Sequence, residues 1–221
     1  MGLLDGLLKQ RTAGRFMRDA EQLLSGAERI ELNMSEHVAA GRADLVVETA
    51  GLALDKLFEA DRAGFSDRDH FNMRHAQALL LLRRAGEALT PALAAARARP
   101  YDVDSRIIHG RVRLALGQIR EAAHEFASIL EEFGREADAM DGLRAVSLAR
   151  GELVYEAEDS DEERARAADL LLSAWDAAGA TQQRLEELSR DNKNARAGSP
   201  LMRVLLDALA RRDGTTPSQR S

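Results

Sequence analysis

The sequence predicts an all-α solenoid, a row of antiparallel helix pairs stacked side by side, and three observations predict it. Gly117 and Gly151 stand 34 residues apart, and each punctuates a pair of apolar helical stretches. Apolar residues recur at intervals of three and four, with no period-two alternation long enough to mark a strand. Aromatics make up only 4% of the 221 residues, and the apolar content is mostly Ala and Leu, which lets helices approach closely but leaves few large side chains to fill a globular centre.

The elements follow in order. Residues 1–26 read as an N-terminal helical cap or docking segment. Leu3, Leu4, Leu7 and Leu8 share one side of a short helix there, which favours a lid over the first pair. A docking peptide is the second reading and a membrane-surface contact the third, since two turns with a single lysine bind lipid poorly. Helical repeats are expected over 27–180. Ile30, Met34 and Val38 mark one helix; after Gly41 a second runs through Val46, Val47, Ala50, Ala53, Leu54 and Leu57. Gly64 can end it, and Ser66 with Asp69 three residues on is a capping-box variant opening the next, which carries Phe71, Leu79, Leu80 and Leu82.

Gly86 reads as the following turn, and Thr90–Pro91 as an N-cap with proline at the first helical position, ahead of Ala92, Leu93 and Ala96. Between 103 and 131 the pattern is clearest. Val103, Ile107, Ile108, Val112 and Leu114 stripe one helix, Gly117 breaks it, and Ile119, Ala122, Ala123, Phe126, Ile129 and Leu130 stripe its partner. Met140, Leu143 and Gly151 keep register in the next copy. An acidic insertion, EAEDSDEE over 156–163, then delays the second helix until Ala167, Leu171, Ala174 and Trp175, with Ser160 and Glu163 as its capping box. C-terminal capping helices are expected over 181–212. After DNKNARAGS at 191–199, which reads as a mobile linker, Ser199–Pro200 opens a helix bearing Leu201, Val204, Leu205, Ala208 and Leu209. A flexible tail covers 213–221. About eleven helices result.

The pair at 103–131 resembles the tetratricopeptide repeat family. Gly110 stands where the family keeps a small residue so that adjacent helices approach, Gly117 at its turn, Ala122 at its small residue early in the second helix and Phe126 at the aromatic four positions later. The family's tryptophan, leucine and tyrosine of the first helix are here Arg106, His109 and Arg113, and its closing proline is Gly134. The resemblance covers residues 27–180 and implies a right-handed superhelix whose first helices line a concave surface. By that resemblance the partner-contacting positions are His70, Met73, Arg74 and Gln77, then Asp104, Ile107 and Arg111, then Asp138 and Asp141. Members that grip a C-terminal carboxylate use lysines and an asparagine in these helices. Asn72 is present, but no lysine lies between Asp69 and Gly151, so a different ligand class is expected.

Other chemistry finds little footing. Without cysteine there is neither a disulfide framework nor a thiolate metal site. Glu121 and His124 make one Glu-x-x-His, half of a di-iron arrangement, and no second copy exists. His70 and His75 lie about 140° apart around a helix and cannot converge on one ion. No G-x-S-x-G elbow and no phosphate-binding loop is present. Catalytic residues, metal and cofactor are therefore assigned as none. The net charge of −6, with arginines interspersed among acids, argues against nucleic acid. No apolar run is long enough to span a membrane, and Asp5 interrupts the leucines of the N-terminus, so no signal peptide is read and a cytoplasmic location is expected. Basic residues are almost all arginine, which with abundant Ala points to a GC-rich bacterial genome.

The expected function is that of a non-catalytic adaptor binding a protein or peptide on its concave face, with the acidic insertion as a second contact for a basic partner. The alternatives are a scaffold that self-associates through its terminal amphipathic helices, and a helical-bundle enzyme or metal-binding protein.

Overall fold

Ten helices run through the described residues of the computed structural model, which are 2–32, 42–150, 161–191 and 200–212, and no strand occurs among them. They are α1 (Gly2–Leu32), α2 (Arg42–Arg62), α3 (Arg68–Leu81), α4 (Ala85–Ala98), α5 (Val103–Ala115), α6 (Ile119–Phe133), α7 (Ala137–Ala149), α8 (Asp161–Ala177), α9 (Thr181–Asp191) and α10 (Pro200–Arg212). The expectations at Met34, Val38, Gly41, Gly151, residues 156–160 of the acidic insertion, Ser199, the linker over 192–199 and the tail over 213–221 lie outside the described residues.

Helix ends are where the chain states its own frame. Gly64 takes φ 87° after α2, with Phe65 N–H donating to Ala60 O and Gly64 N–H to Asp61 O, the paired bonds that satisfy carbonyls left open at a helix C-terminus. Gly117 and Gly179 close α5 and α8 in the same way. The equivalent residue after α3 is not glycine. Arg83 adopts φ 60°, with Arg83 N–H bonded to Leu80 O and Arg84 N–H to Leu79 O. The turn expected at Gly86 is thus at Arg83, and Gly86 is the second residue of α4. Arg83 is exposed, and an L-residue there bears a left-handed backbone cost of about 1–2 kcal/mol. After allowance for the extra freedom of an unfolded glycine, Arg83→Gly is expected to stabilise the protein by about 0.5–1 kcal/mol. A higher midpoint of urea unfolding at unchanged slope is the result to look for.

Two predicted helix starts are also corrected. Asp67, not Ser66, caps α3, its carboxylate accepting from His70 N–H at 3.0 Å. Pro91 lies inside α4 rather than at its start. Ala85, Ala88, Ala92 and Ala95 are all buried on one stripe of that helix, and closing this stripe against neighbouring helices outweighs the backbone hydrogen bond that Pro91 forfeits.

Packing follows chain order. α1, α3, α5 and α7 touch in succession as a first row, and α2, α4 and α6 each bridge their own partner and the next first-row helix. The 34-residue interval survives in three dimensions: Arg83 and Gly117 occupy equivalent turns, and Ala78, Val112 and Val146 are equivalent buried positions on α3, α5 and α7. The N-terminal segment is not separate from the first pair, because α1 runs unbroken from Gly2 to Leu32. Its residues 8–12 are exposed, Leu8 to 61%, so the lid expected there does not cover Leu8.

The helix after the insertion departs from the simple array. α8 packs on α7 but also on α5 and α3, so it crosses the first row instead of continuing the α2–α4–α6 row. Its burial explains why: Ala167, Ala168, Leu171, Leu172, Ala174 and Trp175 are all buried, a sector wide enough to be covered on two sides. α10 covers the second side through Leu205 and Ala208. Two apolar clusters result, one built mainly from α1–α4 and one from α5–α8 and α10 with Ala85 of α4. α5 serves both, giving Ile108 and Val112 to the first and Ile107 and Leu114 to the second.

Candidate groove site

Because α8 lies across the first row, the inner face of that row is roofed, and a chamber of about 230 Å³ remains between them. Helical spacing decides what enters it. Met73, Arg74 and Gln77 face it from α3; Asp104, Ile107, Ile108 and Arg111 face it from α5; Asp138 comes from the first turn of α7. Glu28 and Glu31 near the end of α1 and Asp169, Leu170 and Ser173 of α8 complete the lining. A narrower apolar recess continues beneath, between Leu80, Leu81 and Leu114 on one side and Ala174 and Ala177 on the other.

Seven of the nine sequence-predicted contact positions therefore share one cavity: Met73, Arg74, Gln77, Asp104, Ile107, Arg111 and Asp138. They are not equally open. Met73, Ile107 and Gln77 are buried, at 3%, 4% and 5% exposure, whereas Asp104 and Asp138 are exposed at the mouth. The remaining two are engaged elsewhere. His70 pairs through Nε2 with Glu21 Oε1 at 2.5 Å, and Asp141 is held by Arg144 at 3.0 Å and by Arg166 of α8 at 3.2 Å. Sequence reasoning missed Glu28, Glu31, Ile108, Asp169, Leu170 and Ser173. The wide apolar sector from Ala167 to Trp175 was the available sign that α8 is covered on more than one side.

Charge in the chamber is asymmetric. Five carboxylates, on Glu28, Glu31, Asp104, Asp138 and Asp169, face two guanidinium groups, on Arg74 and Arg111. Arg111 is spread between Glu28 at 3.9 Å and Asp138 at 3.3 Å, distances at which the attraction is real but the hydrogen bonding is loose. Its Nε is buried and makes no hydrogen bond; Arg74 Nε likewise makes none and lies 3.5 Å from Glu21 Oε1. Arg74 Nη1 donates to Gln77 Oε1 at 3.0 Å, which fixes the orientation of that carboxamide. Gln77, which lines the chamber, consequently keeps Nε2 as a donor with no hydrogen-bond partner among the described residues.

Among the described residues no group of three or more His, Asp and Glu side chains is placed to hold a metal ion, and no helix is long and apolar enough to cross a membrane. Glu121 and His124 are both exposed on α6. Compared with family models, with curated proteins and with solved structures, the chain matches none.

Proposed function

We propose that this protein is a non-catalytic interaction scaffold of tetratricopeptide type that receives a peptide segment of another protein in the groove between its first-row helices and α8. The observation that carries this reading is the shared chamber itself. Side chains from α1, α3, α5, α7 and α8 converge on one cavity, and its mouth presents the exposed carboxylates of Asp104 and Asp138. At about 230 Å³ it is smaller than the roughly 300–1,000 Å³ of small-molecule and cofactor pockets. A few side chains of an extended segment fill such a space, while the rest of the segment lies along the mouth.

The absence of cysteine from the chain gives a clean test. A random-peptide library is panned against the full chain, and enriched peptides are then assayed with Ser173→Cys, in the chamber wall, and with Asp55→Cys, exposed on α2. Bound peptide is expected to slow alkylation of the thiol at position 173 about tenfold or more and to leave that at position 55 unchanged. If no peptide is enriched, or if both thiols are protected alike, the groove is not the binding face.

A further inference from the structure

Resting on the reading just given, we infer that the segment the chamber takes is basic: one of its main-chain carbonyls accepts from Gln77 Nε2, and an Arg or Lys side chain beside that carbonyl sits between Asp104 and Asp138. Two independent features point there. The first is charge. With five carboxylates against two guanidinium groups in one lining, a cation entering from solvent is attracted and an anion repelled. Asp104 is exposed and makes no ion pair among the described residues. Asp138, also exposed, is only loosely engaged by Arg111 at 3.3 Å, so both keep capacity for an incoming charge.

The second feature is a donor that no described residue engages. Gln77 is 5% exposed, its Oε1 is occupied by Arg74, and its Nε2 has no hydrogen-bond partner among the described residues. Nε2 keeps contact with solvent, so an acceptor arriving in the chamber takes the place of water at a donor that the described residues leave open. Carboxylate would also accept from Gln77 beside Arg74, but the lining as a whole sets five carboxylates against two guanidinium groups. A neutral carbonyl meets the donor without that repulsion. Carbonyl acceptor and flanking cation occur together, at fixed separation, in any peptide containing Arg or Lys. A polyamine supplies the cation alone.

The test uses the full chain and three fluorescein-labelled, end-blocked heptapeptides of alanine that carry two arginines, two glutamates or no charge. Fluorescence anisotropy is expected to show the arginine peptide binding at least tenfold tighter than the other two, with affinity falling as salt rises from about 50 to about 500 mM. Asp104→Asn/Asp138→Asn, which changes only exposed groups, should weaken that peptide about tenfold and flatten the salt dependence. Gln77→Leu should weaken all binding by about fivefold and leave the salt dependence intact; its circular dichroism and unfolding midpoint show whether it is folded. Should Gln77→Leu not fold, replacing amides of the arginine peptide by esters, which are poorer carbonyl acceptors, reads the same contact in wild type. Spermidine should compete only at much higher concentration than unlabelled arginine peptide.

Tighter binding of the glutamate peptide, or indifference to the double aspartate change, overturns the basic assignment while the scaffold reading stands. Equal competition by spermidine overturns the carbonyl contact. If the library of the preceding section and these peptides all fail to bind, the scaffold reading fails with it.

Discussion

Phe126→Ala is expected to destabilise the protein by about 3–5 kcal/mol, the range for truncating a large aromatic side chain in a closed core. Phe126 is fully buried, and its ring is clasped by two glycines from different helices. A Cβ built on Gly110 of α5 would lie 2.7 Å from the ring, and one built on Gly142 of α7 would lie at the same distance. The aromatic of α6 thus lies directly on the backbones of its own partner and of the next first-row helix. Removing it opens a void that two helix backbones cannot close without moving. Phe126 also belongs to the cluster that includes Leu171, Leu172 and Trp175 of α8, so the loss should loosen the roof of the chamber as well. Gly110→Ala in the wild-type background is expected to cost about 1–3 kcal/mol by overpacking. In the Phe126→Ala background the added methyl group enters vacated space, and its cost should shrink by at least about 1 kcal/mol. Urea unfolding of the four proteins checks this. Additivity within about 0.5 kcal/mol would mean that the ring and Gly110 are not in contact in solution.

How much of this was legible in the residues varies along the chain. Gly64 and Gly117 declared their helix ends because a backbone at positive φ favours glycine. Arg83 concealed an equivalent end, since packing of Leu79 and Leu81 below and of Ala85 and Ala88 above fixes the turn whether or not its residue suits it. The stripes of α5 and α6 identified the faces to be buried, and Gly110 with Phe126 identified the closest approach. Periodicity gives the face of a helix but not its neighbour, so the position of α8 across α3 and α5 was invisible: it depends on contacts between residues far apart in sequence. The candidate site was readable to the same extent. Met73, Arg74, Gln77, Asp104, Ile107, Arg111 and Asp138 follow from the family resemblance, whereas Glu28, Glu31, Ile108 and the α8 wall follow only from tertiary placement.

The departures from the family pattern at Arg106, His109 and Arg113 lead to the second large effect. All three enter one network on the α5–α6 seam. Arg106, 8% exposed, donates to Glu125 Oε1 at 3.3 Å, to Glu132 Oε2 at 2.5 Å, to Ser128 Oγ at 2.7 Å and to Pro100 O at 3.3 Å. Arg113 Nε donates to His109 Nε2 at 3.1 Å, which leaves His109 Nδ1 to carry the proton it shares with Glu125 Oε2 at 3.3 Å. Glu125 is therefore the acceptor common to two side chains of the neighbouring helix. Glu125→Ala should cost about 2–4 kcal/mol, because it strands part of a buried guanidinium and the His109 donor together; retention of Glu132 keeps the loss below that of a fully orphaned charge. Arg106→Met/Glu125→Leu should regain much of the loss, since apolar groups of similar volume need no partner.

The pH dependence has a definite sign. Burial pushes the Glu125 carboxyl up, but the hydrogen bond from His109 and the charge and hydrogen bond of Arg106 outweigh it and hold the group below its ordinary value of 4.5. A carboxylate whose folded value is depressed contributes stability that is fully present above its unfolded value and is lost as pH falls through the folded one. The stability gap between wild type and Glu125→Ala should therefore be widest and flat near neutral pH and should narrow only below about 4.5, where the unfolded chain begins to take up the proton. Denaturation of both proteins across that range measures it. A gap that widens as pH falls below about 4.5 would show that the ionised Glu125 carboxylate is not what holds the seam.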